Sequence, residues 1–386
     1  QSRVLSVLLK NPSVNFAIKI YFSEQYRTIK PRIMFKNYLL TTLRTITRYR
    51  IFTIINVTGL AIGMAGCILI MLYVTDELSY DRYHEKAEQI YRAGIDGKIG
   101  EMEIQTYTSA APIARTMVEE FPEVLNAVRF DGGGNQMITY KNRSFIEDKI
   151  YYVDSTVFDV FSWRLLKGNP KTALANPNSL VLTRSMARKY FGDENPMGQS
   201  LTFDDRAEYK VTGVMEDVPH NSHVTFDFLA SLSTRPHSRS EQWMSDRYAT
   251  YILLQEGITD EAIEPKLGDF LQEHAGPQIE EQLGITMDEW LAGDNRYGYF
   301  LEPLTGIWLD SEASMQPQPV GDKRYVLIFA LVAVFILLIA CVNFMNLTTA
   351  KSSNRAREVG MRKVAGARRG QLIRQFLTES VMLSFI

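Results

Sequence analysis

Side chains that could carry out chemistry are few and scattered in this 386-residue sequence. Of its five histidines, only His220 and His223 are close together, and a zinc site would need further ligands that the spacing does not identify. We interpret this pair as part of a structured turn. The sequence contains neither a Gly-x-Ser-x-Gly nucleophile motif nor a Walker phosphate-binding motif. It therefore predicts no catalytic residue, no cofactor site and no metal site, and any ATP hydrolysis must occur on another chain.

The most distinctive charged segment lies near the end of the sequence. Residues 325–350 contain no charged side chain, and at about 1.5 Å per residue they are long enough to cross a hydrocarbon core of about 30 Å as a helix. The basic residues that follow are Lys351, Arg355, Arg357, Arg362, Lys363, Arg368, Arg369 and Arg374. Only Glu358 and Glu379 oppose them. A span that ends in such a cluster places the cluster on the cytoplasmic side of the membrane.

Two interpretations of this basic segment, residues 351–370, remain open. It could hold the span in place by binding anionic lipid head groups. Alternatively, it could contact a protein: on a helix that continues from the span, Arg355, Glu358 and Arg362 share one face, and Glu358 can pair with either arginine. A patch that binds only lipids has no need of that acid, so we predict a protein contact. Its residues are Arg355, Arg357, Glu358, Gly360, Arg362, Lys363 and Gly366, of which the two glycines allow close approach or a bend.

A second uncharged run, residues 51–75, predicts an earlier membrane span. Within it, Gly59-x-x-x-Gly63 is a spacing of small residues that permits close packing of helices. Residues 34–50 have a basic amphipathic pattern that predicts a helix on the membrane surface, whereas residues 1–33 show no site. Because basic residues precede the first span and follow the second, both ends are predicted to be cytoplasmic and residues 76–324 to be exported.

The net charge of −2 conceals a sharp division. Residues 76–324 hold 41 acidic and 24 basic side chains, whereas the two flanking segments together hold 18 basic and 3 acidic ones. This division fits an aqueous compartment for the acidic middle and a cytoplasmic membrane face for the basic flanks. Because the basic residues adjoin apolar spans, the pattern argues against nucleic-acid binding. Both cysteines, Cys67 and Cys341, lie in the apolar runs, so the exported part has no disulfide framework.

The exported part is long enough for one or two folded domains and mixes helical and strand patterns. Helices are predicted at residues 110–121, 185–191, 260–274 and 277–291. Strands are predicted at residues 124–130, 149–153, 179–182, 209–214, 225–232 and 248–254. Residues 311–321, which contain two prolines, have the composition of a linker back to the membrane. The predicted fold class is therefore α+β, in a membrane protein with transmembrane helices.

Residues 354–369, followed by Gln-Phe-Leu-Thr-Glu-Ser at 375–380, resemble the signature of MacB/FtsX-type ABC transporter permeases. Near the first span, residues 34–38 and 59–63 are also similar to that family. In the exported part, the similar segments are residues 168–170, 179–183, 187–192, 196–198 and 211–214. The resemblance thus extends from residue 34 nearly to the end of the sequence.

This resemblance implies a bilobed mixed α/β periplasmic domain at residues 76–324, between the first two spans of a multi-pass inner membrane protein. It also implies four spans in a permease unit, the third beginning at residues 371–386, where the sequence stops. The protein contact predicted for the basic segment would then be with a cytoplasmic ABC ATPase subunit. The other partners that the resemblance implies are a second permease copy or half, membrane lipids and a periplasmic protein.

The function implied is that of a non-catalytic permease subunit, which transmits the movement of its ATPase to the periplasm. Members of such a family export peptides or drugs, extract lipoproteins or regulate cell-wall enzymes. The alternative is a two-span membrane receptor whose periplasmic domain senses a ligand. Two further spans beyond residue 386 would favour the permease, and a soluble signalling module there would favour the receptor.

Overall fold

The computed structural model describes residues 50–292, 295–314, 316, 318–364, 366 and 369–384. These residues form two compact units. One, which we call the helical unit, takes in the described residues up to Leu72 and from Ile328 onward, and the other, the large domain, is Tyr73–Leu327. The segments predicted at residues 1–33 and 34–50 lie outside the described residues, apart from Arg50.

The helices and strands alternate irregularly along the large domain. The helices of the described residues are α1 (Arg50–Glu77), α2 (Ile113–Glu120), α3 (Val157–Val160), α4 (Arg184–Phe191), α5 (Glu264–Leu283), α6 (Met287–Ala292), α7 (Ile307–Asp310), α8 (Lys323–Val364) and α9 (Arg369–Ser384). The strands are β1 (Ile90–Ile99), β2 (Met102–Thr106), β3 (Ser109–Ala110), β4 (Val124–Gly132), β5 (Gln136–Tyr140), β6 (Arg143–Glu147), β7 (Ile150–Val153), β8 (Leu165–Lys167), β9 (Ser179–Thr183), β10 (Ser200–Phe203), β11 (Ala207–Met215), β12 (Phe228–Ser231), β13 (Asp246–Leu254) and β14 (Arg296–Pro303).

Two helices have the length and composition of membrane spans, over Thr53–Glu77 of α1 and Lys323–Asn346 of α8. The 42 residues of α8 give it a length of about 63 Å, which is about twice the thickness of a hydrocarbon core. It therefore continues well beyond its apolar part and includes much of the basic segment. Between the end of α8 and the start of α9, Gly366 has a φ of +88°, which favours glycine.

The large domain is built on one sheet that contains all fourteen strands of the described residues. Its order is β14-β1-β13-β4-β7-β12-β9-β11-β10-β5-β6, with β2 beside β1, β3 beside β13 and β8 beside β11. Most neighbouring strands are antiparallel, but β7 with β12 and β9 with β11 are parallel. Helices lie between these strands in the sequence, so the mixed α/β character predicted for this domain is confirmed.

Three clusters of buried apolar side chains hold helices and connections against the sheet. The first packs α2 and α5 through side chains such as Met117 and Phe270. The second contains the stacked rings of Phe161 and Trp163, whose centroids are 4.5 Å apart. The third contains Tyr190 from α4. Burying these large side chains provides the main stabilisation of the domain.

The prediction of two helices that meet near Pro277 is wrong. In the structure α5 runs without interruption from Glu264 to Leu283 and contains Pro277 in its interior. A proline there removes one backbone hydrogen bond, but Ala275 and Ile279 on either side of it are buried in the first apolar cluster. The helix ends instead at Gly284, whose φ of +71° is the left-handed conformation typical of a glycine at a helix C-terminus.

Candidate coupling site

The two apolar helices of the helical unit approach each other closely along a line of glycines. A Cβ atom added to Gly63 would lie 2.7 Å from the Cβ of Ala340, and one added to Gly59 would lie 2.9 Å from Asn343 Nδ2. One turn further along α1, a Cβ on Gly66 would be 4.0 Å from Ile336 Cγ2, an ordinary contact. The close packing predicted from Gly59-x-x-x-Gly63 is therefore confirmed.

The predicted protein-contact residues lie on the continuation of the second of these helices. Arg355, Arg357, Glu358, Gly360, Arg362 and Lys363 all belong to α8, and Gly366 lies just beyond its end. Their positions on one uninterrupted helix put residues 355, 358 and 362 at intervals of three and four. Gly360 and Lys363 are exposed. The bend that the sequence allowed at either glycine occurs at Gly366, since α8 passes through Gly360.

In the large domain, the end of α1 is tied to the segment that leads into α8. The Trp308 Nε1–H group donates a hydrogen bond of 2.7 Å to Glu77 Oε2. The ring of Tyr80 stacks on that of Trp308 with a centroid distance of 3.6 Å and an angle of 5° between the planes. Gly321 lies so close that a Cβ there would be 2.8 Å from Trp308 Nε1. We call these four residues the clasp.

A turn at residues 219–224 braces the chain just beyond α1. Asp81, fully buried, receives a hydrogen bond from the backbone N–H of His223, and His223 Nδ1 lies 2.9 Å from its Oδ1. His220 Nε2 lies 2.8 Å from Asp76 Oδ1. The two histidines thus contact separate carboxylates from one connection, which agrees with their interpretation as part of a structured turn.

Beside this turn, His84 is buried and neutral. Burial lowers the pKa of His84 to about 4, and its Nδ1 accepts the backbone N–H of Ser162 at 3.1 Å. This hydrogen bond fixes the connection after α1 against the segment before β8. The connection that follows α1 is therefore bound to the rest of the large domain through several residues.

The segment predicted as a linker, residues 311–321, is bound firmly to the sheet. Arg92 of β1 is 1% exposed and pairs with Glu302, and its Nη1 donates to Gln316 Oε1 at 2.9 Å. Gln318 accepts from the backbone N–H of Thr225 at 3.1 Å and donates to the Thr225 carbonyl at 2.8 Å. A segment held by such paired bonds follows the sheet rather than moving independently of it.

None of the clasp residues, nor Arg92, stood out as functional in the sequence. Glu77 is one of many acidic residues in the exported part, and Trp308 lies 231 positions away from it. A weak signal existed at Arg92, because it lies between the apolar residues Tyr91 and Ala93, where burial forces an arginine to find partners.

Comparison with known protein families agrees with a mixed α/β domain that lies in the sequence between two apolar helices. The family model described as the MacB-like periplasmic core domain matches residues 53–270, more than half of the chain. A second, described as the FtsX-like permease C-terminal, matches residues 330–386. The chain belongs to the MacB/FtsX-type ABC transporter permeases.

Curated relatives of this MacB/FtsX-type permease are named as export proteins. The macrolide export ATP-binding/permease protein MacB of Neisseria meningitidis serogroup A is 24% identical over 252 residues, which cover 64% of this chain and 35% of the relative. The pyoverdine export ATP-binding/permease protein PvdT of Pseudomonas aeruginosa is 24% identical over 260 residues, which cover 66% of this chain and 35% of the relative. The chain thus spans about a third of the length of these relatives.

A solved structure supports the fold. A crystal structure of a permease-protein domain from Porphyromonas gingivalis has a TM-score of 0.50 and 23% identity, and the match covers 58% of this chain and 92% of that one. The MacB/FtsX-type permease therefore contains a mixed α/β periplasmic core domain flanked by two candidate transmembrane helices. A receptor is not favoured, because the region after the second of these helices matches a permease model.

Proposed function

We propose that this permease belongs to the cytoplasmic membrane and transmits the movement of a separate ATPase chain to its periplasmic domain. The observation that carries this proposal is the clasp. It joins Glu77, the last residue of α1, to Trp308 and to Gly321, which is separated from the start of α8 by Asp322 alone. A displacement at either connection is therefore passed to the other and to the large domain.

The bonds of residues 311–321 support the same function. A flexible linker would absorb the displacement of a helix, whereas the contacts of Gln316 and Gln318 connect this segment with β1 and with the turn at residues 219–225. Movement of the segment must then be accompanied by movement of the sheet. Rigid elements with connected packing of this kind are suited to transmit a displacement over tens of Å.

At the other end of α8, we propose that the ATPase contacts the face that carries Arg355, Glu358 and Arg362. The helix is continuous from Lys323 to Val364, so this face is attached to the apolar span without a break. Lipid binding would explain the arginines but not the acid among them. We propose export as the process, because the curated relatives are named as export ATP-binding/permease proteins. A second permease copy stays a prediction from the family resemblance.

Replacing Glu358 with lysine distinguishes a protein contact from lipid anchoring. Glu358→Lys adds positive charge, so it preserves anchoring to anionic lipids but disrupts a specific protein contact. In the full-length permease with its ATPase, we expect normal membrane insertion and at least a tenfold loss of association or of coupling between ATP turnover and transport. The control is Glu101→Lys, the same change at an exposed position of the large domain. Wild-type association and transport in Glu358→Lys would overturn the contact.

Cysteine labelling tests the orientation. In a background that lacks Cys67 and Cys341, we place single cysteines at Ser155, which is exposed in the large domain, and at Ser352. An impermeant thiol reagent added to intact spheroplasts is expected to label position 155 and not position 352, because the basic segment faces the cytoplasm. The reverse labelling pattern would contradict the orientation.

A further inference from the structure

A cavity of about 280 Å³ lies in the large domain over the strands β13, β4 and β7. Small residues leave room for it: Ala249 of β13 and Gly132, the last residue of β4, both line the cavity. The surrounding walls are aromatic. They are formed by Tyr107, Phe130, Tyr151 and Tyr251. Such walls favour an apolar or aromatic group as the occupant.

Two side chains of opposite charge also line the cavity, Arg247 and Asp148. Arg247 is 48% exposed, and within the described residues its guanidinium is held through Nε, which donates to Asp131 Oδ1 at 3.0 Å. Its two Nη groups remain suited to bind a carboxylate. Asp148 is exposed, and none of the ion pairs seen among residues 50–292 uses its carboxylate.

The strand order places these two charges on opposite sides of the cavity. Arg247 belongs to β13, Asp148 lies in the connection just before Lys149 and β7, and β4 runs between these two strands. Two strand spacings correspond to about 10 Å between the outer backbones. A group that carries an ammonium and a carboxylate on one carbon atom can bridge such a pair, whereas an ion of a single charge can contact only one of the two side chains.

We propose that this cavity binds a free α-amino acid with an apolar or aromatic side chain. The ammonium group contacts Asp148, the carboxylate contacts Arg247, and the side chain lies between the aromatic walls. The volume supports a ligand of this size, because pockets for drug-sized molecules begin at about 300 Å³. A residue within a peptide lacks both charges, so the ligand is the free amino acid.

The cavity also adjoins residues 311–321, the segment that leads from the large domain into α8. Tyr151, one of the walls, has the side chain of Gln318 beside its hydroxyl group. Gln318 in turn binds Thr225. An occupant that contacts Tyr151 therefore adjoins the segment that leads into α8, although binding itself does not depend on the proposed transport function.

Calorimetric titration of the full chain in detergent tests the proposal with three matched ligands. They are L-phenylalanine, phenethylamine, which lacks the carboxylate, and 3-phenylpropionate, which lacks the ammonium group. We expect L-phenylalanine to bind at least tenfold more tightly than either analogue, because each analogue loses one charged hydrogen-bond partner. Asp148→Asn should remove its advantage over 3-phenylpropionate, and Arg247→Gln should remove its advantage over phenethylamine.

Two neighbouring exposed residues provide matched controls outside the cavity. Asp205→Asn and Arg206→Gln make the same chemical changes in the turn between β10 and β11 and should leave all three affinities unchanged. The proposal is overturned if L-phenylalanine shows no saturable binding, if either analogue binds as tightly as it does, or if the control variants lower affinity as much as the cavity variants. Retained binding in both cavity variants would also overturn it.

Discussion

The clasp and the glycine contact between α1 and α8 hold pairs of chain segments together by opposite means. In the clasp, directed groups meet: Trp308 donates to Glu77, and Tyr80 stacks on the indole. Between the helices, the contact exists because side chains are missing at Gly59 and Gly63. The clasp is therefore vulnerable to the loss of a single polar atom, and the helix contact to the gain of a single carbon.

The two contacts differ because water surrounds the clasp, whereas hydrocarbon is the solvent of the candidate membrane helices. Water competes for the groups of the clasp, so its stability depends on several polar and aromatic contacts made together. In a hydrocarbon core apolar side chains gain little by leaving the lipid, so close van der Waals packing of small residues determines which helices associate. The proposed transmission of movement requires both kinds of contact.

The largest effect is expected from one added methyl group in the helix contact. Gly63→Ala places a Cβ 2.7 Å from the Cβ of Ala340, so the helices must separate or tilt. We expect a loss of about 1–3 kcal/mol in the stability of the helical unit, measured by thermal unfolding of the full chain in detergent.

The neighbouring glycine provides the control for that variant. Gly66→Ala adds the same atom one turn away, where the nearest contact is an ordinary 4.0 Å, and should be neutral or slightly stabilising. Combining Gly63→Ala with Ala340→Gly should restore stability by making room. Equal effects of the two single variants would show that the close approach at Gly63 does not hold the helices together.

An intermediate effect is expected in the clasp. Trp308→Phe keeps a ring that can stack on Tyr80 but removes the donor to Glu77, which leaves a half-buried carboxylate without that partner. We expect the opening free energy of residues 304–323 to fall by about 1–2 kcal/mol, measured by hydrogen exchange. Trp290→Phe makes the same change in α6 and should affect exchange only there. Unchanged exchange of residues 304–323 would mean that the clasp does not hold this segment.

Which elements could be predicted depends on how local their pattern is. The two spans and strands such as β9 and β13 are mainly apolar or β-branched runs, and the sequence alone predicts them within a few residues. By contrast, β1 contains Arg92 and two glycines, which break any strand pattern. Gly94 is nonetheless required there, because a side chain would collide with the ring of Phe300 on β14. Long-range packing of this kind leaves no local signal.

The basic segment and the clasp differ in the same way. The residues around Glu358 could be proposed from the sequence because one helix and one family signature contain them all, and their contact with an ATPase stays a prediction. The clasp joins Glu77 and Trp308 across 231 positions, and neither residue type is unusual in its neighbourhood. Residues 225–232 illustrate an intermediate case: a strand was predicted there, but only Phe228–Ser231 is paired, because Thr225 is engaged by Gln318 instead.

The smallest effect is expected from a change of pH, which acts on an ionisable side chain of the large domain and not on the contact between α1 and α8. Burial raises the pKa of Asp246, on β13, to about 7, and the hydroxyl of Tyr297, which donates to it at 3.1 Å, opposes this rise only partly. For an acid with a raised folded-state pKa, the stabilisation is complete below its ordinary pKa of 3.8 and is lost as the pH rises through about 7. Between pH 6 and pH 8 the wild-type domain should therefore lose about 1 kcal/mol of local stability.

Asp246→Asn keeps an acceptor for Tyr297 and should abolish this loss, as read from hydrogen exchange of β13, whereas Asp205→Asn in an exposed turn should not. The contact at Gly63 contains no ionisable group, so exchange in α1 should respond to pH identically in all three proteins; a change there would mean that the two regions are energetically coupled.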